Sequence, residues 1–289
     1  MKKSAFSLVE LSVVIAIIGL LIAGVAQASK MIRKSAITAA RSQTKQSVVK
    51  DMPGLALWYE SVLDSSFIPE EMADSVAVST WYDSNVQALA KTNASQVTAN
   101  NKPLYIERAI NGLPALKFSG SKYLEIKDNF CTQNFTAFVV FQTSTVANYW
   151  YYGGPILWAD VGGVANDIVP LMINGSNVSI LNGGASDLWL AATSKVVTDG
   201  FPHVATISRH MGSGARNIWV DGANNVNDTN GSAGVNLNTN MNLLIGGNTV
   251  DQRYYTGFIG EIIIFDRHLL TDERKAVEKY LGKKWKIDF

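Results

Sequence analysis

The chain has 289 residues, a net charge of +1, 47% hydrophobic residues and one cysteine. That length holds one large domain or two small ones beyond any membrane segment. A single cysteine, Cys131, excludes an intramolecular disulfide, and with three histidines it gives no zinc-ligand spacing.

The charge is uneven. Residues 1–50 carry eight Lys or Arg and one acid, Glu10, a net +7, which leaves 17 basic and 23 acidic residues, a net −6, for the rest. A mildly acidic domain argues against nucleic acid as its partner.

The first element is apolar. Lys2 and Lys3 precede it, and from Leu11 to Ser29 no residue is charged. As a helix, those residues span about 28 Å, enough to cross a bilayer core. Lys30, Arg33 and Lys34 follow, so basic residues flank both ends and the positive-inside rule gives no orientation. The large domain behind it makes that domain the exported part. Three readings compete: a secretory signal peptide cut after Ala26-Gln27-Ala28, a plain anchor, and a prepilin leader. Glu10 separates them. A charge in an apolar core costs about 2.5–3.5 kcal/mol and is expected only where it has a role.

The order Lys2-Lys-Ser-Ala followed by Phe6-Ser-Leu-Val-Glu resembles the type IV pilin and pseudopilin signature. The resemblance implies that a prepilin peptidase cuts between Ala5 and Phe6 and that the new Phe6 amine is methylated. Glu10 then lies fifth from the new terminus. Its carboxylate would pair with a Phe6 ammonium of a neighbouring subunit in a filament core, where either charge alone is costly. Two departures stand: Ala5 replaces the family's usual Gly, and Gly19 and Gly24 take the place of its helix-loosening Pro. Residues 1–5 are thus the leader and residues 6–29 the transmembrane or filament-core helix.

Residues 30–52 continue the helix as a neck ended by Pro53-Gly54. Its stripe of Ile32, Ala36, Ala39, Ala40, Gln43 and Ser47 is narrow, so weak packing on the head or on neighbours is expected. From residue 53 to 289 the pattern changes to short strands and turns. Leu55–Tyr59, Leu113–Phe118, Tyr123–Ile126, the continuous apolar run Thr136–Phe141, Leu188–Ala191, His203–Ser208, Asn217–Val220, Leu243–Ile245 and Phe258–Phe265 read as strands. Ile168–Ile173 and Val178–Leu181 flank the hairpin signal Asn174-Gly175. One late helix is expected after a Thr271 cap, with Ala276, Val277, Tyr280 and Leu281 on one face. Many short strands with Gly and Asn turns predict an all-β jelly-roll sandwich.

The order of Gly54-Leu-Ala-Leu-Trp-Tyr, Asn111-Gly-Leu-Pro-Ala-Leu-Lys-Phe, Ile218-Trp-Val-Asp-Gly and Gly260-Glu-Ile-Ile-Ile-Phe-Asp-Arg resembles a laminin-G-like, concanavalin A-like head. Jelly-roll glucanases need two carboxyls about 5–5.5 Å apart, and no such strand-borne cluster is visible. Glu261 and Asp266 point to opposite faces, and the histidines have no nucleophile signature. The head is therefore expected to be non-catalytic and to need no cofactor. Flat aromatics suit sugar stacking: Tyr149, Trp150, Tyr151 and Tyr152 in one apparent loop, and Tyr254 with Tyr255. They equally suit filling the sandwich edge. Asp160, Asn166 and Asp167 could supply oxygens to Ca²⁺, or serve as solvated turn residues.

These features predict a minor pilin or pseudopilin with a lectin-like, adhesive head. Its expected partners are the prepilin peptidase, other pilin subunits, the inner membrane and surface glycans. It would wait as a single-pass inner-membrane protein with a periplasmic head, then join an extracellular filament. The alternative is a membrane-tethered, carbohydrate-binding or carbohydrate-active domain that never enters one.

Overall fold

The computed structural model describes residues 8–128, 130–131, 133–147, 153–159, 168–183, 187–192, 195–231, 233 and 242–289. A long helix, α1 (Leu8–Lys45), leads into an antiparallel β-sandwich, and a second helix, α2 (Thr271–Trp285), covers one outer face of the sandwich.

Residues 8–32 of α1 are all exposed, with Leu8, Leu20 and Val25 at least 70% so. A helix that is apolar all round needs cover, and this half is apolar enough to cross a membrane.

The lower half of α1 and the turn that follows it behave differently. Ala40, Thr44, Ser47 and Val49 are buried, with Arg33, Ala36, Ile37, Arg41 and Gln43 half-buried. Arg41 Nε donates to the carbonyl of Val62 at 2.8 Å, Arg41 pairs with Asp64, Arg33 pairs with Glu107, and the Tyr280 hydroxyl meets Thr44 Oγ1 at 3.3 Å. The neck is therefore docked on the head, contrary to the expected weak packing. The docking stripe is small and polar and works through close approach and hydrogen bonds. Ile32 and Ala39 lie off it and are exposed. The α-helix also stops at Lys45 instead of running on to Met52. A 3-10 turn, Val48–Asp51, buries Val49 and redirects the chain, and Gln87 Nε2 holds it by donating to the carbonyls of Lys50 and Met52, both at 2.9 Å.

Among the described residues, one sheet runs in the order Ala223–Asp228, Ala215–Val220, Pro202–His210, Phe135–Gln142, Gly257–Phe265, Leu113–Phe118, Leu104–Ile110 and Val76–Ala77. Leu55–Glu60 also pairs with Gly257–Phe265, beside Leu113–Phe118. The facing sheet runs Asp187–Ala192, Asn177–Gly183, Ile168–Asn174, Gly154–Ala159, Leu243–Ile245, Leu124–Ile126, Ala94–Ser95 and Thr80–Trp81.

Phe135–Gln142 shows why its run is continuously apolar. Ala137, Val139 and Phe141 face the core between the sheets, while Phe138 and Val140 face a second core under α2. Alternation along the strand sends successive side chains to the two faces, and both are covered. Cys131 lies buried in the inter-sheet core, and burial pushes its thiol pKa well up.

The Asn174-Gly175 hairpin forms, with Asn174 opposite Asn177. Leu113–Phe118 and Leu124–Ile126 do not pair with each other, because the chain changes sheets between them. Leu113–Phe118 instead pairs with Leu104–Ile110 across Asn111 (φ +48°) and Gly112 (φ +82°), left-handed angles that suit Asn-Gly. Thr271 begins α2 rather than capping it; Glu273 reaches back to the amide of Leu270 at 2.8 Å.

Candidate functional site

Two regions of this fold can act on something outside the chain. The first is the exposed half of α1. Glu10 lies in its first turn, the one acid between Leu8 and Ser29. Ala5 and Phe6 lie outside the described residues.

The second is an end of the sandwich. A cleft of about 380 Å³ opens between the segments flanking Ala147 and Gly154, the turn at Gly120, and Arg253 to Thr256. Ala147, Gly153 and Tyr254 all line the cleft. Trp150, Tyr151 and Tyr152 themselves lie outside the described residues, as do Asp160, Asn166 and Asp167. Among the described residues, no group of three metal-ligating side chains forms.

Tyr254 and Tyr255 part company. Tyr254 is half-buried, and its ring stacks on Tyr123 at 6.5 Å and 29°. Tyr255 is 1% exposed, packs near Phe118 in the core and donates its hydroxyl to the carbonyl of Gln142 at 3.0 Å. Burial drives its pKa well up. Its ring presents no face to a ligand, which removes Tyr255 from the stacking set. Successive residues of an extended chain point to opposite sides, so one of an adjacent pair goes inward.

A second cavity, about 260 Å³, adjoins the cleft and shares Thr145 and Thr256 with it. It lies over Lys117, Gln142 and Phe258, neighbours in register across three adjacent strands. A larger hollow of about 720 Å³ runs along α2 and mixes Lys275, Lys279 and Lys283 with Glu278 and Asp288.

Two charged clusters look catalytic by composition, and the first of them is closed. Glu60 and Glu261 sit opposite each other on paired strands, both 0% exposed. Lys284 Nζ contacts Glu60 and lies 2.8 Å from Glu261. Glu261 also accepts from Trp58 Nε1, Trp285 Nε1 and the Tyr280 hydroxyl, each at 2.7 Å. Gly260 permits this, since a Cβ there would lie 2.5 Å from the Trp285 ring. Burial raises the Glu60 pKa, against the pull of Lys284 and with the help of Glu261. Burial would lower that of Lys284, but the two carboxylates outweigh it and raise it. No substrate reaches this pair. The sequence hid it because the two acids lie far apart along the chain, and Glu261 was weighed only against its near neighbour Asp266.

His203, 3% exposed as its strand pattern predicts, sits between Asp221 (Nδ1 to Oδ2, 2.8 Å) and Asp199 (Nε2 to Oδ1, 3.0 Å). Burial works to lower its pKa, yet bonds and charge from Asp221 and then Asp199 carry it above the ordinary value.

Residues 1–26 match the prokaryotic N-terminal methylation motif, the type IV pilin signature. The motif implies processing by a prepilin peptidase and assembly with other pilins, and together with the apolar helix it is consistent with membrane anchoring. No curated protein matches the chain.

The head superposes on domain 4 of AbnA, an extracellular arabinanase from Geobacillus stearothermophilus solved with arabinotriose. The TM-score is 0.53 at 16% identity, over 78% of this chain and 97% of that one. The binding domain of Paraclostridial Mosquitocidal Protein 1 gives 0.55 at 10% identity, over 80% and 52%. The binding domain of botulinum neurotoxin serotype D/C VPI 5993 gives 0.50 at 13%, over 81% and 53%. This chain thus spans nearly all of the first and about half of the other two. At such identities the likeness is one of fold alone, that of a jelly-roll-like sandwich, which in this chain follows one long amino-terminal helix.

Proposed function

We propose that the protein is a minor pilin or pseudopilin that carries a non-catalytic, glycan-binding head on a surface filament or secretion pseudopilus. The observation that carries this reading is the exposed half of α1, an all-round apolar helix with one acid in its first turn, inside a methylation motif. A bilayer covers such a helix before assembly, and the helices of other subunits cover it afterwards. Glu10 pairs with the Phe6 amine of a neighbour and sets the register.

The head's part of the reading rests on the cleft that Tyr254 lines, and on the fold it shares with binding domains. Adhesion fits a head this large better than bulk filament packing does.

Shearing filaments from cells with and without the pilus machinery tests the assignment. The chain is expected in the sheared fraction only when the machinery is present. Recovery solely in membranes in both strains would instead leave a tethered binding domain.

A further inference from the structure

We infer that the ligand of the head is an acidic oligosaccharide of more than one sugar unit, held in a groove that continues from the end cleft onto the outer face of the sandwich. This deepens the glycan-binding reading and rests on it.

The extent comes from the two cavities. They share Thr145 and Thr256, so one molecule can pass from the first to the second. Their volumes, about 380 and 260 Å³, together fall in the range of about 300–1,000 Å³ usual for small-ligand sites. The floor of the second is a row across adjacent strands: Gln142 beside Phe258, and Phe258 beside Lys117. Phe258 is half-buried, giving an apolar surface between an amide and an ammonium. That combination suits a sugar ring, which has one apolar face and a polar edge.

The sign comes from the lining. Among the described residues, the end cleft is lined by one charged side chain, Arg253, and the adjoining cavity by one, Lys117, with no Asp or Glu in either lining. Beyond residue 50 the chain is net −6 with 23 acids, so a stretch whose described charged side chains are both cationic departs from its surroundings. The larger hollow along α2 mixes both signs and offers no such selection. A guanidinium and an ammonium at separate points along one groove match carboxylates or sulfates on successive sugars. Arg253 is the better partner for a planar carboxylate, because its fork donates two parallel bonds. Lys117, exposed on its strand, acts as a point charge.

Oligogalacturonides provide the probe, since methyl esterification removes their charge and keeps their backbone. Full-length protein in detergent is titrated with the di-, tetra- and hexamer, in free-acid and esterified form, with neutral arabinan oligomers alongside. The free acids are expected to bind at least tenfold more tightly than their esters, and the tetramer at least tenfold more tightly than the dimer. Lys117→Gln should reduce tetramer affinity about fivefold and leave the dimer unchanged. Arg253→Gln should weaken both, and Arg253→Lys should restore part of the loss. The Lys117 variant alters an exposed side chain, so it carries the test even where an Arg253 variant misfolds. Equal binding of acids and esters, or of neutral arabinan, overturns the acidic class while the glycan reading stands. Equal binding of dimer and tetramer overturns the extended groove. Equal binding of inorganic polyphosphate overturns sugar recognition in favour of bare charge. No binding by any glycan removes both readings together.

Discussion

Glu60 and Glu261 face each other across paired antiparallel strands and share one ammonium, that of Lys284. The carboxyl oxygens also accept from two indole N–H groups, the Tyr280 hydroxyl and the amides of Val62 and Leu63. The strands come from opposite ends of the head, and the lysine from its last helix. The cluster therefore joins three remote segments at one point.

Removing the cation leaves two buried carboxylates facing each other. Lys284→Met is expected to cost about 3–5 kcal/mol, a fall in thermal midpoint on the order of 10 °C for a domain of this size. The deficit should shrink as pH drops into the carboxylate range, where protonation relieves the repulsion. Thermal melts of both proteins between pH 4 and 8 check this, and a variant that melts with the wild type at neutral pH would sink the idea.

The His203 site gives stability the opposite dependence on base. Its folded pKa is raised, so its contribution is complete below the unfolded value of about 6.5 and is lost as pH climbs through the folded value. Wild-type stability should decline over that window, and His203→Gln should lack that component. Chemical denaturation at closely spaced pH values measures both slopes.

Processing at the motif should give a mature protein beginning at Phe6. Mass spectrometry of the amino-terminal peptide reads the terminus and its methyl group in one measurement. A peptide starting at Ser29 would instead establish signal-peptide cleavage.

Glu10→Ala leaves the span at least as apolar and should insert normally, while incorporation into filaments drops several-fold. Quantifying the variant in membrane and sheared fractions separates the two effects. Normal incorporation would rule out pairing between Glu10 and the Phe6 amine.

The docked neck predicts that the head is more stable with it than without. Ala40 and Val49 belong to the core under α2, so a fragment of residues 53–289 should be less stable than one of residues 30–289. The expected loss is on the order of 2–4 kcal/mol from burial alone. Denaturant midpoints of the two fragments decide it, and equal midpoints would mean that the docking adds nothing.

What was legible in the sequence was whatever repeats over short distances. The apolar span, the run Thr136–Phe141 and the Asn174-Gly175 hairpin all have local periodicity or turn chemistry. Leu104–Ile110 did not read as a strand, because Glu107 and Arg108 interrupt its pattern and a bulge lies between Ile106 and Ile110. The neck's docking was hidden because Ala40, Thr44 and Ser47 are small and weakly apolar, and only the partner surface shows what they meet. The end cleft was half legible. Paired aromatics pointed to Tyr254, but the inward turn of Tyr255 depends on packing against Phe118. Lys117 and Phe258 carried no signal, since register across strands brings them together.

The hairpin-like passage from neck to head also sets how the molecule takes a pull. Tension along the rod passes through Gly54 into Leu55–Glu60, which lies antiparallel against Gly257–Phe265 with register from Leu55 opposite Phe265 to Glu60 opposite Glu261. A force along a strand loads that whole row of bonds at once, in shear, rather than opening them one by one. The bond from Tyr280 to Thr44 and the pairing of Arg41 with Asp64 lie beside the same path and share the strain. A pull on the head through its neck thus meets the attachment where it is hardest to unzip.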